Sequence, residues 1–241
     1  MRMRIFLALT ALLTMVGAAH AADPKPVVLP PKPAATPVVT GDRFSKEIAA
    51  LTHRDLAPAA IEGSTLFVGS SSIRLWDVAH SFPSVVAVNR GFGGATTPDV
   101  LRHYPAVISR YKPASIVVYV GENDIAAGAE PDVVMTDVLN LLGRLRTDYP
   151  RARIVYLSMK PSPARWNLWG KMAAVNAAVQ AKAVGATAFD YLDVSRAITR
   201  SDGLPDAQYF SPDGLHMNAT GYARWTALVS VYLATPAPVG K

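Results

Sequence analysis

The sequence predicts an α/β protein: a three-layer α/β/α sandwich around a five-stranded parallel sheet. Three observations carry this expectation. Five short runs rich in aliphatic and β-branched residues lie along the chain. They lack strict polar alternation, as strands covered on both faces require. Stretches with apolar residues at helical spacing separate them, and that alternation implies parallel strands joined by helical crossovers. Such crossovers are right-handed, which leaves few topologies.

The elements follow in order. A short helix is expected over Phe44–Leu51, ahead of the first strand. The strand runs are Thr65–Gly69, Val85–Asn89, Ser115–Gly121, Arg153–Ser158 and a weaker Thr187–Leu192. Pro98–Arg110 carries Val100, Leu101, Tyr104, Val107 and Ile108 on one helical face. Asp132–Arg146 does the same with Val134, Val138, Leu141, Leu142 and Leu145, and Lys171–Val184 with Met172, Val175, Val179 and Ala183. A last helix is expected over Ala219–Leu233, with Asn218 as its N-cap. A flavodoxin-like strand order accommodates these units, and in such sheets ligands bind beyond the carboxyl ends of the strands.

Composition narrows the classes. Of 241 residues, 50% are hydrophobic and 17% charged, which excludes global disorder. There is no cysteine, so disulfides, thiolate zinc sites, iron–sulfur clusters, a cysteine nucleophile and a lipidated-cysteine anchor are all excluded. The net charge of +6 is spread along the chain without a basic arm, so no nucleic-acid partner is expected. Residues 1–21 read as an export signal: basic Arg2 and Arg4, an apolar Ile5–Val16, and a small-x-small site at Ala19-His20-Ala21. The apolar part is short of the ~20 residues a bilayer span needs, so no stable membrane anchor is expected. Cleavage near Ala21 would send the chain to a bacterial periplasm or the exterior. Pro24, Pro26, Pro30, Pro31, Pro33 and Pro37 make 22–42 an extended linker. The domain is expected over 43–235, followed by a disordered tail at 236–241.

Four groups of residues fall at strand ends or before the last helix. They are Gly69-Ser70-Ser71-Ser72, Asn89-Arg90-Gly91-Phe92-Gly93-Gly94, Gly121-Glu122-Asn123-Asp124 and Asp213-Gly214-Leu215-His216. Taken singly, each has an ordinary reading as an N-cap, a tight turn or a turn pair. Together, and in this order, they resemble the SGNH or GDSL-type serine hydrolases over about residues 62–234. One position departs from that pattern: Ser70 stands where the family has aspartate.

The resemblance implies a carboxylic ester hydrolase with Ser71 as nucleophile, His216 as base and Asp213 as the residue orienting it. It implies an oxyanion hole from the N–H groups of Ser71 and Gly94 and the amide of Asn123. The chemistry agrees, because acyl transfer needs a nucleophile, a base, an orienting group and oxyanion donors. Asp124 reads as a turn or supporting residue. The expected substrate is a small-molecule, carbohydrate or lipid ester, with short acyl groups such as acetyl favoured. A lysophospholipase or thioesterase acting on longer chains, and a non-catalytic binding module, are the alternatives.

Other motifs are incomplete. The α/β-hydrolase Gly-x-Ser-x-Gly fails at Ile73, and Gly91-Phe92-Gly93-Gly94-Ala95-Thr96 lacks the last glycine of a dinucleotide fingerprint. His53, His80 and His103 have no metal-ligand spacing and read as surface or partly buried, so neither metal nor cofactor is expected. Arg165 and Trp166, after the fourth strand, are the candidate substrate-binding residues. The competing expectation for Trp166 and Trp169, three apart, is that they open a helix and bury in the core. Trp76 and Trp225 read as core.

Overall fold

The structure, a computed structural model, describes residues 42–53, 62–184 and 188–235. The expected export signal, the linker up to residue 41 and the tail at 236–241 lie outside the described residues. Five strands pair in parallel in the order β2-β1-β3-β4-β5. They are β1 (Thr65–Gly69), β2 (Ala87–Gly91), β3 (Ser115–Tyr119), β4 (Arg153–Leu157) and β5 (Asp190–Leu192). This is the flavodoxin-like order. The second strand lies two residues later than its apolar run, because pairing aligns Thr65 with Ala87 and Gly69 with Gly91. Val86 is left 46% exposed before the strand begins.

Side chains alternate between two cores, one on each face of the sheet. Leu66, Val68, Ile116, Val118, Ile154 and Tyr156 enter one core. Phe67, Val117, Tyr119, Val155 and Leu157 enter the other. The first core is covered by α1 (Ser45–Thr52), α4 (Thr97–Val107), α6 (Pro131–Asp148) and α7 (Trp169–Ala183), through Ile48, Tyr104, Leu141 and Val175 among others. The second is covered by α2 (Ser71–Arg74), α3 (Val78–Ser81) and α8 (Ala219–Ala234). Trp76 and Trp225 are buried there with ring centroids 5.7 Å apart. A further short helix, α5 (Glu122–Ala126), follows β3.

Local chemistry explains the helix starts. Thr96 and Asp99 form a reciprocal capping box at α4, and Pro131 opens α6 where its missing N–H is harmless. Asn218 caps α8, its Oδ1 accepting from the Gly221 N–H at 3.0 Å. Asp42, placed by sequence at the end of the linker, is already part of the domain: its carboxylate lies 2.8 Å from Nε2 of His103. His103 is 3% exposed, deeper than the surface or partly buried place expected for it, and the Asp42 carboxylate satisfies its ring there.

All five strands run the same way, so their carboxyl ends share one edge of the sheet. A cavity of about 650 Å³, lined by Tyr111, Pro113, Tyr149 and Ala152, lies where β3 and β4 begin. It is at the opposite edge and contains none of the strand-end residues. No helix among the described residues is long and apolar enough to cross a membrane.

Candidate active site

Ser71 is the first residue of α2, two positions past the end of β1, with Ser70 between them as the N-cap. Its N–H opens the helix and therefore has no intrahelical acceptor. The turn is tight because Gly69 pairs with Tyr119 on β3, and Ser70 N–H donates to the Tyr119 carbonyl at 3.1 Å. A β-carbon on Gly69 would lie 1.8 Å from that carbonyl oxygen. The short α2 is held from outside. Asn89 Nδ2 donates to the carbonyls of Ile73 (2.6 Å) and Trp76 (2.9 Å), and the Tyr222 hydroxyl donates to that of Ser72 (3.0 Å). Asn89 opens the second block, but its role as a brace, like that of Tyr222, depends on segments distant in sequence.

The loop before α8 brings two further groups to Ser71. Nε2 of His216 lies 3.0 Å from Ser71 Oγ, and Nδ1 lies 2.6 Å from Asp213 Oδ2. The other carboxylate oxygen of Asp213 accepts the N–H groups of Leu215 and His216, each at 2.9 Å. The His216 ring contact and these two donors hold the Asp213 carboxyl at a pKa of about 2. It is therefore ionised wherever the protein is folded near neutrality, and it selects the His216 tautomer with the proton on Nδ1. The Asp213 and His216 side chains remain 48% and 25% exposed, so the pair sits at an open surface.

The glycine-rich loop and the third strand end meet beside this pair. Phe92 N–H donates to the Gly69 carbonyl at 3.1 Å, which ties the loop after β2 to the end of β1. Asn123 Nδ2 donates to the Ala95 carbonyl at 2.9 Å, which ties the third block to the second. Gly94 has φ +69° with open space around a notional β-carbon, so conformation rather than crowding calls for glycine there. The loop is braced by residues around α1: Glu47 accepts the Gly93 N–H at 3.0 Å, and Arg43 donates to the Gly94 carbonyl at 3.3 Å. Asp124 is buried and accepts the Thr97 N–H at 2.9 Å, supporting the start of α4. Burial raises its pKa against the lowering effect of that bond.

Beneath Asn123 lies a buried polar group that sequence reasoning missed. Glu122 Oε2 accepts from Lys160 Nζ at 2.7 Å and from the Tyr119 hydroxyl at 2.5 Å, while Oε1 accepts from Arg165 Nη1 at 3.1 Å. Glu122 and Lys160 are 4% and 1% exposed. Their spacing in sequence carries no motif; the pairing arises because the ends of β3 and β4 are neighbours. Burial alone would push the Glu122 carboxyl up. Attraction to Lys160 and Arg165, with the bonds from Lys160 and Tyr119, outweighs it and sets the pKa below the ordinary 4.5.

A test follows. Glu122→Gln leaves two cations without their counter-charge and is expected to destabilise the fold by about 3–5 kcal/mol. A carboxyl depressed in the folded state contributes stability above its unfolded pKa and loses it as pH falls through the folded value. The gap in melting temperature between wild type and Glu122→Gln should be constant near neutrality and narrow below pH 4.5. A gap unchanged from pH 7 to about pH 3 would show that the charge on Glu122 is not what stabilises.

The two rim candidates part ways. Arg165 turns its guanidinium onto Glu122 and Asn123, and 20% of its side chain stays exposed. Trp166 is 38% exposed in a 3-10 turn spanning Pro163–Leu168, with its ring stacked on that of Trp169 at 6.4 Å. Trp169 opens α7 and packs half-buried against the core, so only one of the two tryptophans turns inward. This segment borders the His216 loop: Ala164 N–H donates to the Gly214 carbonyl at 3.0 Å.

Solved structures share this fold. A Bacteroides thetaiotaomicron GDSL-like lipase superposes with a TM-score of 0.65 at 21% identity, covering 79% of this chain and 95% of its own. A Streptococcus pneumoniae protein whose name refers to platelet activating factor gives 0.68 at 24%, covering 78% and 90%. A mutant of a Geobacillus acetyl-xylooligosaccharide esterase gives 0.60 at 14%, covering 76% and 100%. No curated protein sequence matches the chain. The profile of the GDSL-like lipase/acylhydrolase family matches residues 69–224, a span that begins at the glycine before the serine run and ends past His216. The chain therefore belongs to the GDSL-like lipase/acylhydrolase family and is an ester hydrolase.

Proposed function

We propose that this protein is an exported serine esterase acting on short-acyl esters, with Ser71 as nucleophile, His216 as general base and Asp213 as its orienting carboxylate. The observation that carries this reading is the unbroken chain Asp213 Oδ2, His216 Nδ1, His216 Nε2, Ser71 Oγ, with links of 2.6 and 3.0 Å. His216 Nε2 takes the Ser71 hydroxyl proton as Oγ attacks the ester carbonyl carbon. The Asp213 carboxylate, ionised down to about pH 2, stabilises the imidazolium that forms. Negative charge collects on the former carbonyl oxygen, where Ser71 N–H, Gly94 N–H and Asn123 Nδ2 are the donors. The imidazolium then protonates the departing alkoxy oxygen, leaving an acyl ester on Ser71. Water, deprotonated by the same nitrogen, attacks this ester and releases the carboxylic acid and free Ser71.

Export rests on the basic, apolar and small-x-small pattern of residues 1–21. Short-acyl preference rests on the openness of the site. Ser70 alone separates β1 from α2, and the Asp213 side chain is half exposed. Each methylene gains about 0.8 kcal/mol only where an apolar wall receives it. Trp166 is exposed two residues after Ala164, whose N–H bonds the His216 loop, and it suits a sugar ring on the alcohol side. The solved Geobacillus relative is named for acetylated xylooligosaccharides, a substrate of the same chemical type.

The test is hydrolysis of an ester series without added metal, with Ser71→Ala as blank, across acyl lengths of about two to twelve carbons. Wild type is expected to favour the two- to four-carbon esters, with kcat/KM flat or falling beyond them. A steady several-fold rise per methylene to the longest ester would replace the short-acyl reading with a lipid or thioester substrate.

A further inference from the structure

The amide of Asn123 is gripped at both ends. Its Oδ1 accepts from Nη1 and Nη2 of Arg165, each at 3.1 Å, and its Nδ2 donates to the Ala95 carbonyl at 2.9 Å. A guanidinium offers only donors and a backbone carbonyl only acceptors. Exchanging the nitrogen and oxygen would set donor against donor and acceptor against acceptor, so the amide has one orientation. One Nδ2 hydrogen is spent on Ala95; the other is left for a ligand. Arg165 is itself fixed, since Nη1 also reaches Glu122 Oε1 at 3.1 Å and that carboxylate is anchored by Lys160 and Tyr119. A cation on Oδ1 also draws charge from the amide and strengthens its N–H as a donor.

We propose that Arg165 is a positioning residue that aims and polarises the Asn123 amide, with Glu122 and Lys160 as its anchor; this rests on Asn123 donating to the oxyanion. Arg165 then acts on the transition state rather than on substrate binding. A donor directed at charge that develops during the reaction raises kcat and leaves KM little changed. This differs from a rim residue contacting substrate, whose loss raises KM.

The experiment is a double-mutant cycle read in kcat and KM on a short-acyl ester, using the full mature chain. Asn123→Ala is expected to lower kcat about 10²- to 10³-fold, the usual effect of losing one oxyanion donor. Arg165→Gln should lower kcat by about tenfold or more with KM within about twofold. Arg165→Lys, which keeps the charge but loses the planar fork, should fall between wild type and Arg165→Gln. In the Asn123→Ala background, Arg165→Gln should add less than about a twofold further loss, because nothing is left to position. Losses that multiply in the double variant, or a rise in KM at unchanged kcat, would overturn the proposal. If Arg165→Gln does not fold, the Arg165→Lys cycle decides by the same criteria. Failure of the underlying reading looks different: Asn123→Ala would then turn over like wild type, or Ser71→Ala would remain active.

Discussion

Ser71→Ala is expected to lower kcat/KM by about four to six orders of magnitude, the scale set by removing the nucleophile of a serine triad. The serine run makes this a test of register as well as of chemistry. The three hydroxyls differ in environment. Ser71 is half-buried and its Oγ is the atom 3.0 Å from His216 Nε2. Ser70 and Ser72 are each 2% exposed and bond through the backbone: the Ser70 N–H donates to the Tyr119 carbonyl, and the Ser72 carbonyl accepts from the Tyr222 hydroxyl. Ser70→Ala and Ser72→Ala should therefore stay within about tenfold of wild type, a change of about 1.4 kcal/mol in the barrier. Kinetics of the three variants, with fluorophosphonate labelling as a second readout, decides the matter. A dead Ser70→Ala beside an active Ser71→Ala would move the nucleophile by one residue. Ser70 occupies the place where the family's pattern has aspartate, so its tolerance to alanine also measures what that departure costs.

Gly69→Ala should produce the largest loss of stability. The new β-carbon would meet the Tyr119 carbonyl oxygen at 1.8 Å and its carbon at 2.7 Å, and φ at this position is +143°. These are backbone atoms of an adjoining central strand, so no rotamer change relieves the contact. Strands β1 and β3 would have to part where they end, and those ends carry Ser71 and Asn123. A cost of about 4 kcal/mol or more is expected, in the range reserved for overpacking and special backbone conformations. At roughly 2–4 °C per kcal/mol for a domain of this size, the melting temperature should drop by about 8 °C or more. Gly143→Ala, inside α6 with open space around the β-carbon, is the control and should gain about 0.5–1 kcal/mol. Thermal melts of the two variants give the comparison. A Gly69→Ala protein as stable as wild type would show that the strand ends yield easily.

What the sequence alone determined is what local patterning encodes. The apolar runs marked four of the strands to within two residues and began three residues early at β5, because a strand covered on both faces has little choice but to be aliphatic. The long helices followed from their 3.6-residue periodicity, and the α8 start from Asn218. The βαβ alternation set the parallel sheet, and with it the edge on which the four blocks would gather. Ser71, His216 and Asp213 were nameable as candidates because the blocks that hold them resemble a family's pattern in order along the chain.

Tertiary structure alone decided the features that depend on contacts between distant segments. α2 and α5 are too short to show a period, and α2 persists because Asn89 and Tyr222 bond its carbonyls from elsewhere in the fold. Docking of the α1 segment onto the glycine-rich loop depends on Glu47 and Arg43 meeting backbone groups about 50 positions away. Exposure of Trp166 beside partial burial of Trp169 is a matter of which side of the 3-10 turn and the helix start after it faces the core. Arg165 read as a rim cation because nothing near it in sequence offers a carboxylate or an amide oxygen. Only the adjacency of the β3 and β4 ends brings Glu122 and Asn123 within 3.1 Å of it.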